Sequence, residues 1–360
     1  MRILLGAAAA AGLLASGAAA SAAGVDIRNA AVRVVVIPEA RADVSVTVVR
    51  TNPRLPVHVS TDLLGQTIVD GGFGFGFFGG HPVRCGGSGD GRWMSVWGIG
   101  RFTYDELPEV VVRVPLDARV SSGGGVFGAI SAADRLALVT GGCGEWIVAD
   151  VKDRLTVLNT GSGRVRAGSA GDMALSVSGS GVIWTRVASR SLDVHTSGSG
   201  GIDVEQASGP IDAGASGSGS IRIAGGEAGA LTAHVSGSGD IAFLGRAQTV
   251  DSGLSGSGGI DVGRVAENVN VQISGGGGMH VSEATGAVHA RLSGSGELTV
   301  DRGHVSEIDA RISGSGGVDF GGVADRLTLA ASGSGGVRVG QVLGPIASKS
   351  SGSGRVVVLR

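Results

Sequence analysis

The chain has 360 residues, enough for one or two domains; 68 of them are Gly, 8 are Pro and 4% are aromatic. Collagen needs Gly at every third position and far more Pro, and a disordered chain would not carry 42% hydrophobic residues. The balance of 29 basic against 31 acidic residues, a net charge of −2, gives no basic footprint, so no nucleic-acid partner is expected.

Residues 1–23 have the pattern of a secretory signal peptide. Arg2 precedes an apolar stretch from Ile3 to Leu14, and Ala20-Ser21-Ala22 is a typical cleavage motif. The alternative is an N-terminal segment retained as a membrane anchor. The sequence predicts export to the periplasm or the cell surface, with no transmembrane span after signal cleavage.

Residues 24–117 form a lead region that alternates apolar and polar residues without a fixed repeat. Such alternation is typical of half-buried strands. Because the ends of stacked sheets need covering, we expect this lead to be a small β-rich cap, either a separate β domain or a set of irregular coils. The predicted strands are Val32–Ile37, Val44–Val49, Val57–Ser60, Thr67–Asp70, Trp93–Trp97 and Val110–Val114.

A glycine- and phenylalanine-rich segment, residues 71–80, interrupts the lead. It is either a flexible loop or a loop that contacts a partner or a lipid surface through Phe73, Phe75, Phe77 and Phe78. The same segment matches G-x-G-x-x-G, but no helical pattern follows to place a helix N-terminus against a pyrophosphate, so no dinucleotide cofactor is expected.

Cys85 and Cys143 are the two cysteines of the chain. Disulfides persist outside the cytosol, so export favours a Cys85–Cys143 bond that would fasten the lead to the repeats that follow. Two free buried thiols are the alternative.

A Ser-Gly-Ser-Gly motif recurs through residues 118–360 with its central residues 18 to 20 residues apart. The same register reaches back to Cys143 and Gly124, which gives about 13 units. The central residues are Ser162, Ser180, Ser199, Ser218, Ser238, Ser257, Gly276, Ser295, Ser315, Ser334 and Ser353.

Aliphatic residues flank each motif with a period of two, as at Ile202 and Val204 or Ile241 and Phe243. Each unit therefore reads as two short strands on either side of a glycine corner, where Gly is expected to supply a positive φ. The fold predicted is all-β: a right-handed parallel β-solenoid of about 13 coils, each of about 19 residues, preceded by the small β capping region.

These repeats resemble the bacterial head-GIN-domain family of auto-transporter adhesins. The resemblance is carried by Leu231–Ile241 (LTAHVSGSGDI), Gly256–Val262 (GSGGIDV), Leu292–Val300 (LSGSGELTV) and Ile312–Phe320 (ISGSGGVDF), which follow an exported, strand-rich lead. It implies an exported, right-handed parallel β-solenoid with an adhesive role, and it brings no catalytic residues to this chain.

Acidic and histidine side chains on the outward faces are the candidates for chemistry. Asp193 and Asp212 occupy equivalent positions on adjacent coils, as a pair of catalytic acids would. The candidates for calcium are Asp203, Asp240, Asp261 and Asp319, and the outward histidines are His195, His234, His280, His289 and His304. Their spacing fits neither a nine-residue calcium repeat nor one zinc ion, so no metal is expected.

The function predicted is that of a non-enzymatic cell-envelope scaffold, an adhesin that binds an envelope protein or a glycan through its surface. The alternative is a carbohydrate-binding or polysaccharide-cleaving β-helix that acts through outward acids. The strands after the last corner are followed by no capping sequence, so the open last coil could also pair with a second copy.

Overall fold

The computed structural model describes residues 23–63, 65–73 and 83–359, and strand makes up 73% of the structure. Two single 3₁₀ turns, Gly89–Gly91 and Tyr104–Glu106, lie in the lead. The lead strands are β1 (Gly24–Glu39), β2 (Ser45–Arg50), β3 (His58–Thr61), β4 (Thr67–Asp70), β5 (Val83–Gly86), β6 (Trp93–Val96), β7 (Gly100–Thr103) and β8 (Glu109–Pro115).

The repeat region supplies nineteen further strands. They are β9 (Asp117–Ile130), β10 (Ala133–Thr140), β11 (Cys143–Val148), β12 (Val151–Asn159), β13 (Arg164–Ala167), β14 (Ala170–Val177), β15 (Val182–Thr196), β16 (Gly201–Ala215), β17 (Ser220–Ile223), β18 (Gly226–Val235), β19 (Asp240–Leu254), β20 (Gly259–Ile273), β21 (Gly278–Gly294), β22 (Glu297–Gly314), β23 (Gly317–Ala324), β24 (Leu327–Gly333), β25 (Gly336–Val342), β26 (Ile346–Ser350) and β27 (Val356–Val358).

Successive coils pair in parallel and in the register of the sequence repeat. Ile202 of β16 lies beside Ile221 of β17, which in turn lies beside Ile241 of β19. The chain thus coils into a β-solenoid of about 13 turns, which confirms the predicted fold. The right-handed sense of the coil stays a prediction.

The aliphatic columns predicted to point inward form one continuous core. Ile241 and Phe243 are fully buried, and the same buried cluster extends from Val25 in β1 to Val339 in β25. Each coil buries its aliphatic side chains only against the coils above and below, so the core is assembled by stacking. The last coil is less well covered, since Ile346 packs on one side alone and is 47% exposed.

The corner glycines are required for a reason that differs from the one predicted. Gly200 does not have a positive φ, so left-handed backbone is not what selects Gly there. Instead, a Cβ on Gly200 would lie 2.1 Å from the carbonyl oxygen of Gly181 in the preceding coil. Close approach of two backbones excludes every larger residue at this position. The expectation of positive φ is correct later in the stack, at Gly294 and Gly314.

The lead shares the core of the solenoid instead of standing apart from it. β1 pairs in parallel with β9 on one side, and with β4 and β8 on the other. β2 and β3 then run antiparallel to β8 and β4 at the outer edge of this first layer. The antiparallel pairing ends the stack, because a strand of reversed direction does not continue the coil.

A second small sheet, formed by β5, β6 and β7, packs against the side of the first coils. Its core contains Met94, Phe102 and Phe127, and it is separate from the core of the solenoid. The Cys85–Cys143 disulfide joins β5 to β11, as predicted, so the alternative of two free thiols is wrong. The bond fastens the small sheet to the solenoid.

Candidate functional site

A long groove follows the axis of the solenoid immediately before the glycine corners. It has a volume of about 1420 Å³. One wall is a row of exposed serines, each the first residue of a glycine corner, which reads Ser-Gly-Ser-Gly except at Ser274, where it is Ser-Gly-Gly-Gly. We call this channel the serine groove. The serines are Ser197, Ser216, Ser236, Ser255, Ser274, Ser293, Ser313, Ser332 and Ser351.

The serine row arises from the alternation of the strand that enters each corner. Leu254 points into the core and is 2% exposed, so the next residue, Ser255, must point outward. The backbone N–H of Ser255 donates to the carbonyl oxygen of Val235 in the coil before, at 2.9 Å. Since the backbone supplies the contact between coils, the hydroxyl group remains free to meet solvent or a ligand.

The opposite wall is built by the outward residue two positions before each serine. Its N-terminal half alternates large and small: His195 lies in register with Gly214, and His234 with Gly253. A Cβ on Gly214 would lie 2.7 Å from Cδ2 of His195, so the imidazole ring rests on the glycine of the next coil. In full, the wall consists of Ser176, His195, Gly214, His234, Gly253, Gln272, Arg291, Arg311, Ala330 and Lys349.

The C-terminal half of this wall is cationic. Arg291 and Arg311 lie in register on adjacent coils, and Lys349 follows two coils further on. Arg311 forms an ion pair with Asp309 at 3.0 Å. Among the described residues that line the serine groove, none is Asp or Glu, although the whole chain has a net charge of −2.

The two acids proposed as a catalytic pair lie beside the groove and outside its lining. Asp193 and Asp212 are register partners on adjacent coils, as the repeat predicts. Asp193 is 2.7 Å from Nδ1 of His195, so one of the two carboxylates is already engaged by a neighbouring ring. His195 and His234 lie in the same groove wall, two coils apart.

Three of the four candidate calcium ligands, Asp240, Asp261 and Asp319, pair with other protein groups. Asp240 accepts a hydrogen bond from the backbone N–H of Gly259 at 2.9 Å, and Asp319 pairs with Arg338 at 3.2 Å. Asp203 lies in register with Arg222. In residues 23–63, 65–73 and 83–359 there is no group of three or more His, Cys, Asp or Glu side chains that could hold a metal ion.

The remaining outward histidines also lie beside carboxylates. His280 lies between Asp261, at 3.4 Å, and Asp301, at 3.0 Å. In the same way, His289 lies near Glu307 and His304 near Asp325. Ion pairs of this kind, between exposed side chains of neighbouring coils, are ordinary surface interactions.

Among the carboxyl groups elsewhere whose pKa values depart from their ordinary range are those of Asp172 and Asp26. Hydrogen bonds from Arg190 and Ser191 lower the pKa of Asp172, on an outward column of β14. Partial burial raises the pKa of Asp26 in β1; the charge of Arg28 opposes this effect and that of Asp70 adds to it.

The phenylalanine-rich segment is described at one position. Phe73 packs, half-buried, against the small core that contains Cys85 and Cys143. Phe75, Phe77 and Phe78 lie outside the described residues, as does the G-x-G-x-x-G match. The prediction of a contact loop there stays a prediction.

The central serine of each corner was predicted as the repeat's marker residue, whereas the first serine was not. The central serines, such as Ser257, are exposed at the corner itself and do not line the groove. A signal for the first serine was present, since the coil whose central residue is Gly276 still keeps Ser274. A position that stays polar where its neighbour varies is a better candidate for a surface contact.

A model of a known protein family matches residues 106–227 and 226–302, and the description of that family is "Putative auto-transporter adhesin, head GIN domain". Neither the search of curated proteins nor the search of solved structures gave a match. No helix in the described part of the chain is long and apolar enough to cross a membrane.

Proposed function

The chain belongs to the head GIN domain family, and on this premise we propose that it is a non-enzymatic, exported scaffold that binds a cell-envelope partner along the serine groove. The groove itself supports the proposal most directly, because it is one continuous surface on ten successive coils. Ten wall positions separated by nine coil spacings of about 4.8 Å correspond to a length of about 43 Å.

Adhesion through a long surface suits the way in which the groove is built. Its serine hydroxyls recur at every coil along the axis, and three cationic groups are added in the C-terminal half, so many weak contacts can act on one extended partner. Linked contacts of this kind raise the overall affinity well above that of any single contact. We therefore place the binding function in the repeat and not in one focused cluster.

Export is the second part of the proposal. The family description suggests an exported or surface location, and the Cys85–Cys143 disulfide fits an oxidising compartment. The signal peptide predicted at residues 1–23 falls almost wholly outside the described residues and stays a prediction, as does the choice between periplasm and cell surface. Fractionation of cells that express the full-length chain would test both.

Filling the groove tests the binding function. The double variant Ser255→Trp with Ser274→Trp places two bulky rings on the serine wall, where both native side chains are exposed. We expect the labelled protein to lose most of its binding to washed envelope fractions. The matched control is Ser238→Trp with Ser257→Trp, in corners that do not line the groove. Equal retention by both double variants would refute the assignment of binding to the groove.

Self-association through the last coil remains a prediction. Leu343 and Ile346 are 59% and 47% exposed there, and an unpaired sheet edge can accept another strand. Sedimentation as a monomer at high protein concentration would exclude it.

A further inference from the structure

The cationic half of the serine groove points to the chemistry of the partner. Resting on the function proposed above, we propose that the groove binds an acidic polysaccharide, whose carboxylate or sulfate groups meet Arg291, Arg311 and Lys349 while its sugar hydroxyls meet the serine row. Three properties of the groove support this ligand: its shape, its charge and the spacing of its side chains.

The shape favours an extended polymer that lies along the solenoid axis. A peptide could bind along a sheet by adding a strand, but here the strands run across the axis and not along it. Their N–H and C=O groups are already paired with the coils above and below, as β19 is paired with β18 and β20. The groove therefore offers side chains and no free backbone, which is poorly suited to strand addition.

The charge favours an anion. Arg291 and Arg311 are register partners, so their side chains project from adjacent strands whose backbones are about 4.8 Å apart. Like charges opposite each other on neighbouring strands are destabilising unless a counter-charge lies between them. Asp309 pairs with Arg311, whereas Arg291 has no ion-pair partner among the described residues. A ligand carboxylate or sulfate beside Arg291 would supply the missing counter-charge in a charge-assisted hydrogen bond.

The spacing favours sugars over other anionic polymers. A serine hydroxyl recurs at each coil, so donors and acceptors recur about every 4.8 Å along one wall. On the opposite wall, His195 and His234 are separated by two coils, about 9.6 Å, with Gly214 between them. This repeat is close to the length of two linked sugar rings in an extended chain. The oxygens of polyphosphate can only accept hydrogen bonds from the serines, whereas sugar hydroxyls both donate to and accept from them.

Direct binding to defined polymers tests the inference. The probes are polygalacturonate as the acidic polysaccharide, dextran as a neutral one, and polyphosphate as an anion without sugar, each titrated against the full-length chain. We expect polygalacturonate to bind most tightly and to weaken with added salt. The triple variant Arg291→Gln, Arg311→Gln and Lys349→Gln should lower its affinity at least about tenfold, as three charge-assisted contacts are lost.

The control removes the same net charge from another face. Arg246, Arg264 and Arg302 are exposed residues of a different outward column, and their replacement by Gln should leave binding of polygalacturonate within about twofold of the native value. Equal losses in the two triple variants would mean non-specific attraction and would overturn the inference. So would dextran or polyphosphate binding as tightly as polygalacturonate.

The inference and the function beneath it can fail separately. If no acidic polysaccharide binds, while Ser255→Trp with Ser274→Trp still abolishes attachment to envelope fractions, the groove is the binding site and the ligand class is wrong. If neither assay responds to changes in the groove, both proposals are wrong.

Discussion

Replacing Gly200 with Ala should open the stack of coils at one corner. The added Cβ would lie 2.1 Å from the carbonyl oxygen of Gly181 and 2.6 Å from Cγ1 of Val177. Rotation of a side chain cannot relieve the first contact, because the oxygen belongs to the backbone. The two coils must therefore separate by about 1 Å, roughly a fifth of their normal spacing of about 4.8 Å.

The magnitude follows from the hydrogen bonds that hold this corner. The N–H groups of Ser199 and Gly200 both donate to the carbonyl oxygen of Gly179, and that of Gly201 donates to Gly181. Three backbone hydrogen bonds at about 1 kcal/mol each are placed at risk, so the variant should lose about 3 kcal/mol of unfolding free energy. Denaturation in urea, followed by circular dichroism, measures the loss.

The matched control is the neighbouring residue of the same corner. A Cβ on Gly201 would meet nothing closer than Oγ of Ser220 at 3.6 Å, which is ordinary contact. Gly201→Ala should therefore be neutral or stabilising by up to about 1 kcal/mol, because Ala has less conformational freedom in the unfolded chain. If the two alanine variants unfold at the same urea concentration, close approach of the coils is not the reason for the corner glycines.

Three further outcomes are expected. Ile241→Asp should destabilise the chain severely, since it places an unpaired charge in the core. Arg311→Ala, on the exposed face, should shift the melting temperature little. Equal melting temperatures of the two variants would contradict the assignment of inward and outward faces. Cys85→Ser should remove up to about 4 kcal/mol and make the β5–β7 sheet sensitive to protease before the coils; simultaneous cleavage of both parts would argue against a local role for the disulfide. Asp26→Asn should stabilise the chain more at pH 7 than at pH 3, as urea denaturation at the two pH values would show. The raised pKa of Asp26 means that its ionised form is disfavoured in the folded state. The free energy of unfolding of the native chain therefore falls as pH rises through the folded-state pKa. Below the pKa that Asp26 has in the unfolded chain, the destabilisation disappears. A larger gain at pH 3 would refute this sign.

The solenoid could be predicted from the sequence because the pattern that indicates it recurs in every coil. The inward positions of Ile202, Ile221 and Ile241 were each supported by the same apolar pattern in all the remaining coils. All three residues are buried. The strand Thr67–Asp70 was predicted with the bounds that the structure gives it. In such a chain a local ambiguity at one coil is resolved by the period of the others.

The lead was harder to predict because its pairings are long-range and occur once. Val25 of β1 lies in register with Val120 of β9, and with Thr67 of β4 on the other side. Nothing in the local alternation of residues identifies a partner so far along the chain. The strands were therefore predicted, while the choice between a separate β domain and irregular coils of the solenoid was left open.

The groove was missed for another physical reason. Alternation assigns Ser255 and Arg291 to the outward face, but it does not show which outward columns form a concave surface. That depends on how sharply the chain turns at the corner, which is set by contacts such as that between Gly200 and Gly181. The positive charge of the groove could be recognised only in the folded structure, where Arg291, Arg311 and Lys349 lie along one concave surface.

The direction of the hydrogen bonds between coils has a mechanical consequence. Hydrogen bonds such as that from Ser255 to Val235 lie along the solenoid axis, so a stretching force applied between the two ends acts on one coil at a time. Under a low stretching force, such a solenoid would lengthen as its coils separate one after another. Force applied across the strands would instead meet many bonds together.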